Sequence, residues 1–349
     1  MEKRVTWIDN AKAIGIISVV LGHMAFPKDI VTALYAFHIP LFFFLSGLTF
    51  RTNLPFGAFL KKKFRTIMVP YFFMAVVTLL FWLLRSRFDH GIAPFDPIHL
   101  VLGIFYGTAT NGYLDFNVPL WFLPCLFVTE LLLYAVCRLP GRWPAIAVAL
   151  CVVCGFLLNY AEYFDYIPFH LPWGADIALV VLGFMALGYS IKGWVGMDRP
   201  ALVPGLWAVL GLPTCVALGL WHGRIDIATA CFTSNLNLPY AAGAALFIAA
   251  ACLGIAAVLG LSKLFPKNPV LDFLGRNSLI IFGFHFSVAA CIKAVLFMGL
   301  HVPPAAFGDA IGLNLALTAA ILLGTVLLAL LLRRFLPWAV GTSSCKAGK

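Results

Sequence analysis

The chain has 349 residues, of which 62% are hydrophobic and 11% charged, with a mean hydropathy of +0.98. A soluble domain is about half apolar and about a quarter charged, so a single soluble core is excluded and lipid must solvate most of the surface. The net charge of +10 sits in short gaps between apolar runs without interleaved exposed aromatics, which excludes a nucleic-acid-binding face and leaves topology as the use of the basic residues.

Lys3 and Arg4 precede an apolar run, as in a signal peptide. That run carries Lys12 and His23, however, and no small-x-small cleavage site follows, so it is expected to remain as the first helix. Stretches of about 20 mostly apolar residues give about ten predicted spans. They fall at 10–27, 33–50, 66–85, 119–138, 144–160, 174–191, 201–221, 239–262, 277–300 and 310–333. The stretch 94–109 is apolar but short, and is expected to be interfacial or re-entrant. The fold expected is an all-α polytopic bundle in which residues 1–349 form one integral membrane domain and 335–349 a short cytoplasmic tail.

Orientation follows from the cations. With the N-terminus inside, the inside segments hold Lys3, Arg4, Arg51, Lys61, Lys62, Lys63, Arg65, Arg138, Arg142, Lys192, Arg199, Lys263, Lys267, Arg276, Arg333, Arg334, Lys346 and Lys349. The outside keeps Lys28, Arg85, Arg87 and Arg224. Lys and Arg accumulate in cytoplasmic loops, so both termini are expected inside. The nine cysteines lie mostly within apolar segments without a loop framework, and Cys151 and Cys154 form a lone C-x-x-C inside a predicted span. They are expected to be packing residues.

Ionisable residues inside spans are costly and mark candidate sites. In the first span Lys12 and His23 are about three turns apart, so they lie along nearly one line, about 16 Å from each other. Ala11, Gly15, Ser18 and Gly22 form a small-residue face beside that line, suited to close approach of another helix. His23 is thereby a candidate general base; the plainer alternatives are a hydrogen bond to a neighbouring helix for His23 and snorkelling for Lys12. The second predicted span has His38 before Pro40 at one end and Ser46–Gly47 at the other, where Ser46–Gly47 serves either chemistry or close packing. Lys61, Lys62, Lys63 and Arg65 follow, either as a topology or anionic-lipid signal or as a cradle for a phosphate-rich donor. Glu130, Asp176, His285 and Lys293 lie in later spans, where each needs a partner or takes part in a proton or substrate path. No H-E-x-x-H, paired-ligand spacing or Gly-rich phosphate loop occurs, so no metal is expected from the linear pattern.

The opening W-I-D-x-A-K-A-I-G-I-x-x-V-V-L-G-H, which includes Asp9, and the F-H-I-P-L-F-F-F-L-S-G that follows resemble the acyltransferase-3 family of membrane O-acyltransferases. The closest branch is the fucose 4-O-acetylase-like proteins. The resemblance continues through the basic segment ending at Pro70–Tyr71, the P-L-W-F-L-P piece containing Trp121, and the L-G-R-N-S-L…H piece containing Asn277, Ser278 and His285. It implies that Lys12 and His23 fill the family's spacing of a basic residue, ten intervening residues and a His. It further implies that His23 is catalytic, that acyl-CoA, usually acetyl-CoA, is a co-substrate rather than a bound cofactor, and that the acceptor is a carbohydrate or glycolipid. The expected place is a bacterial inner membrane.

On that reading His23 takes the proton of an acceptor hydroxyl as it attacks the thioester, or itself carries the acyl group. Lys12, Arg65 and Lys61 hold the donor's phosphates. Ser46, Asn277 or Ser278 face the developing oxyanion, and Asp9, His38, Trp121, Glu130 and His285 are supporting candidates. The alternative from another class is a transporter or flippase for a sugar or lipid-linked glycan.

Overall fold

The structure is a computed structural model. It describes residues 5–341 except 90, 91, 93, 94, 165, 168, 198, 199, 224–226, 228–238, 266 and 309. Lys3, Arg4, Arg199, Arg224, Lys346 and Lys349 therefore lie outside the described residues, as does 342–349 of the expected tail.

The described chain is helical, with no strand among the described residues. Nine of its helical segments are long and apolar enough to cross a membrane: Lys28–Leu48, Phe56–Arg85, Val118–Val136, Trp143–Glu162, Pro172–Gly196, Leu202–His222, Tyr240–Leu264, Ser278–Gly299 and Ile311–Phe335. In lipid every backbone N–H and C=O must be satisfied within the segment, which is why apolar runs of this length become helices. Each matches one of the predicted spans after the first.

The remaining predicted span, 10–27, is α1 (Thr6–Gly22), only 17 residues long. It starts earlier and stops sooner than expected, so His23 is the residue that ends the helix (φ −99°, ψ 4°) rather than one buried within it. Although short and charged, α1 is central. It packs against α2 (Lys28–Tyr35), α3 (His38–Leu48) and later helices of the chain. The expected small-residue face is where α3 approaches: a Cβ on Gly15 would stand 3.0 Å from the Phe42 ring.

The basic cluster also sits differently from a loop. Lys61, Lys62 and Lys63 end α4 (Phe56–Lys63), Arg65 lies in a π-turn (Phe64–Met68), and α5 (Val69–Arg85) continues from it. Pro70, at the start of α5, has no N–H to donate and its ring crowds the preceding turn. The wider π-turn absorbs that mismatch without ending the helix.

α6 (Pro97–Tyr106) covers the stretch expected not to cross, and its ten residues span only about 15 Å. The Asp96 side chain caps it by accepting from Ile98 N, and Gly107 closes it with φ 69°. The rest of the bundle is α7 (Phe122–Val136), α8 (Trp143–Tyr163), α9 (Ala175–Gly196), α10 (Leu202–His222), α11 (Tyr240–Leu264), α12 (Pro269–Arg276), α13 (Ser278–Ala294) and α14 (Ile311–Phe335). The expected tail begins at Phe335, the last residue of α14. Pro337–Val340 forms a turn that buries Ala339 and Val340, with Trp338 6.0 Å from Phe73.

Helix ends gather into two groups. His23, Arg85 and Lys293 line one cavity, whereas Trp7, Ala201, Lys263 and Lys267 line another. The first group marks the His23 end of the bundle and the second the α1-start end.

Candidate functional site

The last turn of α1 delivers His23 to the side of α13. There its Nδ1 stands 3.2 Å from Nε2 of His285, with ring centroids 5.1 Å apart. His285 is fully buried. Its other nitrogen, Nδ1, is 2.8 Å from the Phe282 carbonyl and 3.2 Å from that of Ile281. Carbonyl oxygens only accept, so Nδ1 of His285 carries the hydrogen and, in the neutral ring, Nε2 presents a lone pair. The hydrogen between the rings is then donated by Nδ1 of His23. That fixes the His23 tautomer and leaves its basic lone pair at Nε2, the arrangement a general base requires.

Three contacts hold the pair in place. Phe286 stacks on His285 at 4.8 Å and lies 4.9 Å from His23. Tyr35 stands edge-on to His23 at 6.3 Å, and its fit depends on Gly22, whose Cβ would meet the Tyr35 ring at 3.1 Å. The segment after His23 is tied to α14 by Asn314, whose buried amide donates to Ala25 O at 2.7 Å and to Phe307 O at 2.6 Å.

His23 opens on a cavity of about 720 Å³ between α5 and α13, lined mainly by apolar residues such as Phe81, Phe88 and Phe297. Arg85, Asp89 and Lys293 are its charged members, and Arg85 is paired with Asp89 at 2.5 Å. Sequence reasoning placed Arg85 among the outside cations and Lys293 among the intramembrane ones, but did not bring either to His23.

The other predicted residues fall elsewhere. Lys12 is part-buried on α1, and Lys61 and Arg65 are exposed at the α1-start end; none of the three lines the cavity of about 520 Å³ formed there by Trp7, Asn10, Lys263, Lys267 and neighbours. Asp9 is buried in the first turn of α1, where α12 approaches so closely that a Cβ on Gly275 would run into its carbonyl oxygen. His38 is buried, donates from Nδ1 to Leu34 O at 2.6 Å, and has Tyr35, the neighbour of His23, 4.9 Å away.

The expected oxyanion donors are not at His23. Ser46 is towards the far end of α3, where Gly47 and Gly188 let α3 and α9 touch backbone to backbone. Asn277 and Ser278 stand at the start of α13, about 11 Å along the helix from His285, and Asn277 donates to Phe273 O at 2.8 Å. Glu130 is ion-paired with Lys63, beside the Phe50 and Phe59 rings, so it has the partner that burial demands.

Trp121, in the turn Val118–Trp121 ahead of α7, lines a small cavity with Thr108, Thr110, His170 and Asp176. Burial there lowers the pKa of His170, but hydrogen bonds to Asp176 and Glu162 outweigh it and raise the value to about 9.

Fold and site together define a polytopic helical membrane protein with a histidine pair at the mouth of an apolar cavity. The family model described as an acyltransferase domain, acyltransferase-3, matches residues 5–334. The chain belongs to the acyltransferase-3 family and is a membrane acyltransferase. No curated protein and no solved structure matches it.

Proposed function

We propose that the chain transfers an acetyl group from acetyl-CoA to a carbohydrate hydroxyl, with His23 as general base. The observation that supports this reading most is the His23–His285 contact of 3.2 Å at the edge of the cavity. Nε2 of His23 takes the acceptor's hydroxyl proton as the oxygen attacks the thioester carbonyl. The new C–O bond forms, the C–S bond breaks, and the departing thiolate takes the proton from the His23 imidazolium. His285 accepts the Nδ1 hydrogen throughout and so steadies the charge that builds on the ring.

The charge distribution supports an orientation with both termini in the cytoplasm of a bacterial inner membrane. The donor then enters at the basic end, its phosphates met by Lys12, Lys61 and Arg65, and the His23 cavity belongs to the outer half. Leu84 (62% exposed), Phe88 (69%) and Met298 (67%) line that cavity and are apolar. An acceptor tethered to a lipid suits such walls better than a free sugar, and Arg85 and Lys293 suit an anionic headgroup. Acetyl and a fucose 4-O-acetylase-like specificity follow the motif resemblance.

The test is thiol release by the purified chain in nanodiscs supplied with acetyl-CoA and a glycolipid extract. Acceptor-dependent release of CoA thiol is expected. Absence of release with acetyl-CoA and with longer acyl donors would overturn the proposal.

A further inference from the structure

A second polar cluster lies apart from the histidine pair. Glu162 stands in the last turn of α8, His170 in the connection, and Asp176 in the first turn of α9. His170 Nδ1 is 3.2 Å from a carboxylate oxygen of Glu162 and 3.2 Å from one of Asp176. One ligand-type atom from each of the three lies within 4.8 Å of the others. Side-chain exposures are 3% for Glu162, 18% for His170 and 0% for Asp176.

The cluster has a charge deficit. Two buried carboxylates share one imidazole, so even a protonated His170 leaves one negative charge in a poorly solvated place, which is costly. Asp176 Oδ1 is also buried without a hydrogen-bond partner among the described residues, although Asp176 lines the small cavity beside Thr108 and Thr110. A divalent cation with neutral His170 removes the deficit completely and gives Asp176 a partner.

The spacing fits such an ion. Ligand atoms about 2.1 Å from one metal, at tetrahedral or octahedral angles, stand roughly 3.0–3.4 Å apart, and the two separations from His170 Nδ1 are 3.2 Å. The surroundings are braced. Trp173 holds φ 60° and Gly174 φ 58° just before Asp176, a cost in strain for Trp173. Trp173 Nε1 donates to Phe105 O at 2.7 Å, and Tyr106 donates its hydroxyl hydrogen to His170 O at 2.6 Å.

We propose that Glu162, His170 and Asp176 bind one divalent first-row transition ion of the zinc class. Two carboxylate oxygens and an imidazole nitrogen suit such an ion better than magnesium or calcium, which prefer oxygen alone. Its role is to clamp α8, α9 and the end of α6 together. The clamp extends towards the active centre, because Asn117, in the segment between α6 and α7, donates to Gly283 O at 2.8 Å, two residues before His285. The site stands independently of the acyl-transfer reading.

The experiment uses the full chain purified in detergent, stripped with chelator, dialysed against buffered Zn²⁺, and assayed for bound zinc and thermal unfolding. Wild type should retain about one zinc per chain and melt at a higher temperature with zinc than without. Asp176→Asn and Glu162→Gln should bind at least about tenfold more weakly and lose the zinc-dependent shift, whereas His23→Ala should keep both. Should either variant fail to fold, zinc content and the zinc-dependent shift of wild type and His23→Ala still decide the matter. Wild type that retains no zinc and shows no shift would overturn the proposal, leaving the carboxylates to share a proton. Zinc retained equally by the folded Asp176→Asn and Glu162→Gln variants would overturn it too, by placing the ion elsewhere.

Discussion

Nε2 of His285 lies 3.2 Å from Nδ1 of His23, and the far nitrogen of His285 faces the carbonyls of Phe282 and Ile281. The backbone of α13 thus sets the tautomer of a residue on α1. If His23 is the base proposed above, this geometry makes His285 a positioning residue. His285→Ala is expected to lower kcat by about 10²-fold with little change in the donor's KM. His285→Gln, whose amide oxygen can accept the same hydrogen, should recover part of the loss. The acid limb of the pH–rate profile should move in His285→Ala, which a merely structural role would not produce.

Lys63 and Glu130 make an ion pair with side-chain exposures of 20% and 6%. Lys63→Met strands a carboxylate in an apolar setting, so a loss of about 3 kcal/mol in stability is expected. The double variant Lys63→Met/Glu130→Gln should recover most of it. Thermal unfolding in detergent measures both, and equal stability of wild type and Lys63→Met would refute the pairing.

Gly275 permits α12 to touch α1 at Asp9, where no Cβ fits. Gly275→Ala should therefore destabilise the protein by about 1–3 kcal/mol through overpacking and reduce activity by displacing α1. Gly193→Ala, with nothing within 4 Å of the added carbon, is the control and should be neutral.

Much of the architecture was legible because a bilayer constrains a chain so strongly. Apolar runs of span length must be helices, so α7 through α11 and α14 could be read almost directly. The candidate site was only half legible. Lys12 and His23 share one helix, and their spacing is visible on the page. His285 is 262 residues from its partner, and no periodicity connects them; its burial in α13 was visible, but its neighbour was not. The basic cluster shows a similar limit. Sequence placed Lys61, Lys62, Lys63 and Arg65 together, whereas helical spacing separates them, turning Lys63 inward to Glu130 and leaving Lys61 and Arg65 exposed. Glu162, His170 and Asp176 converge across a connection in which Trp173 and Gly174 adopt positive φ, a turn that no linear ligand pattern encodes.

Lys12 is part-buried on α1, while Lys61 and Arg65 are exposed at the same end. A cation withdrawn from water binds phosphate more strongly than one screened by it. Lys12→Gln is expected to raise the KM for acetyl-CoA by about tenfold, and Lys61→Gln or Arg65→Gln by less, with the difference narrowing at low salt. Steady-state kinetics at two ionic strengths would check this, and an unchanged KM in Lys12→Gln would remove it from donor binding.

The most direct test of His23 as the catalytic base is transfer of label from radiolabelled acetyl-CoA into the glycan fraction, using membranes carrying wild type or His23→Ala at matched abundance. Label is expected with wild type and only background with His23→Ala. Incorporation by His23→Ala equal to that of wild type would contradict the account and make the histidine pair a packing contact.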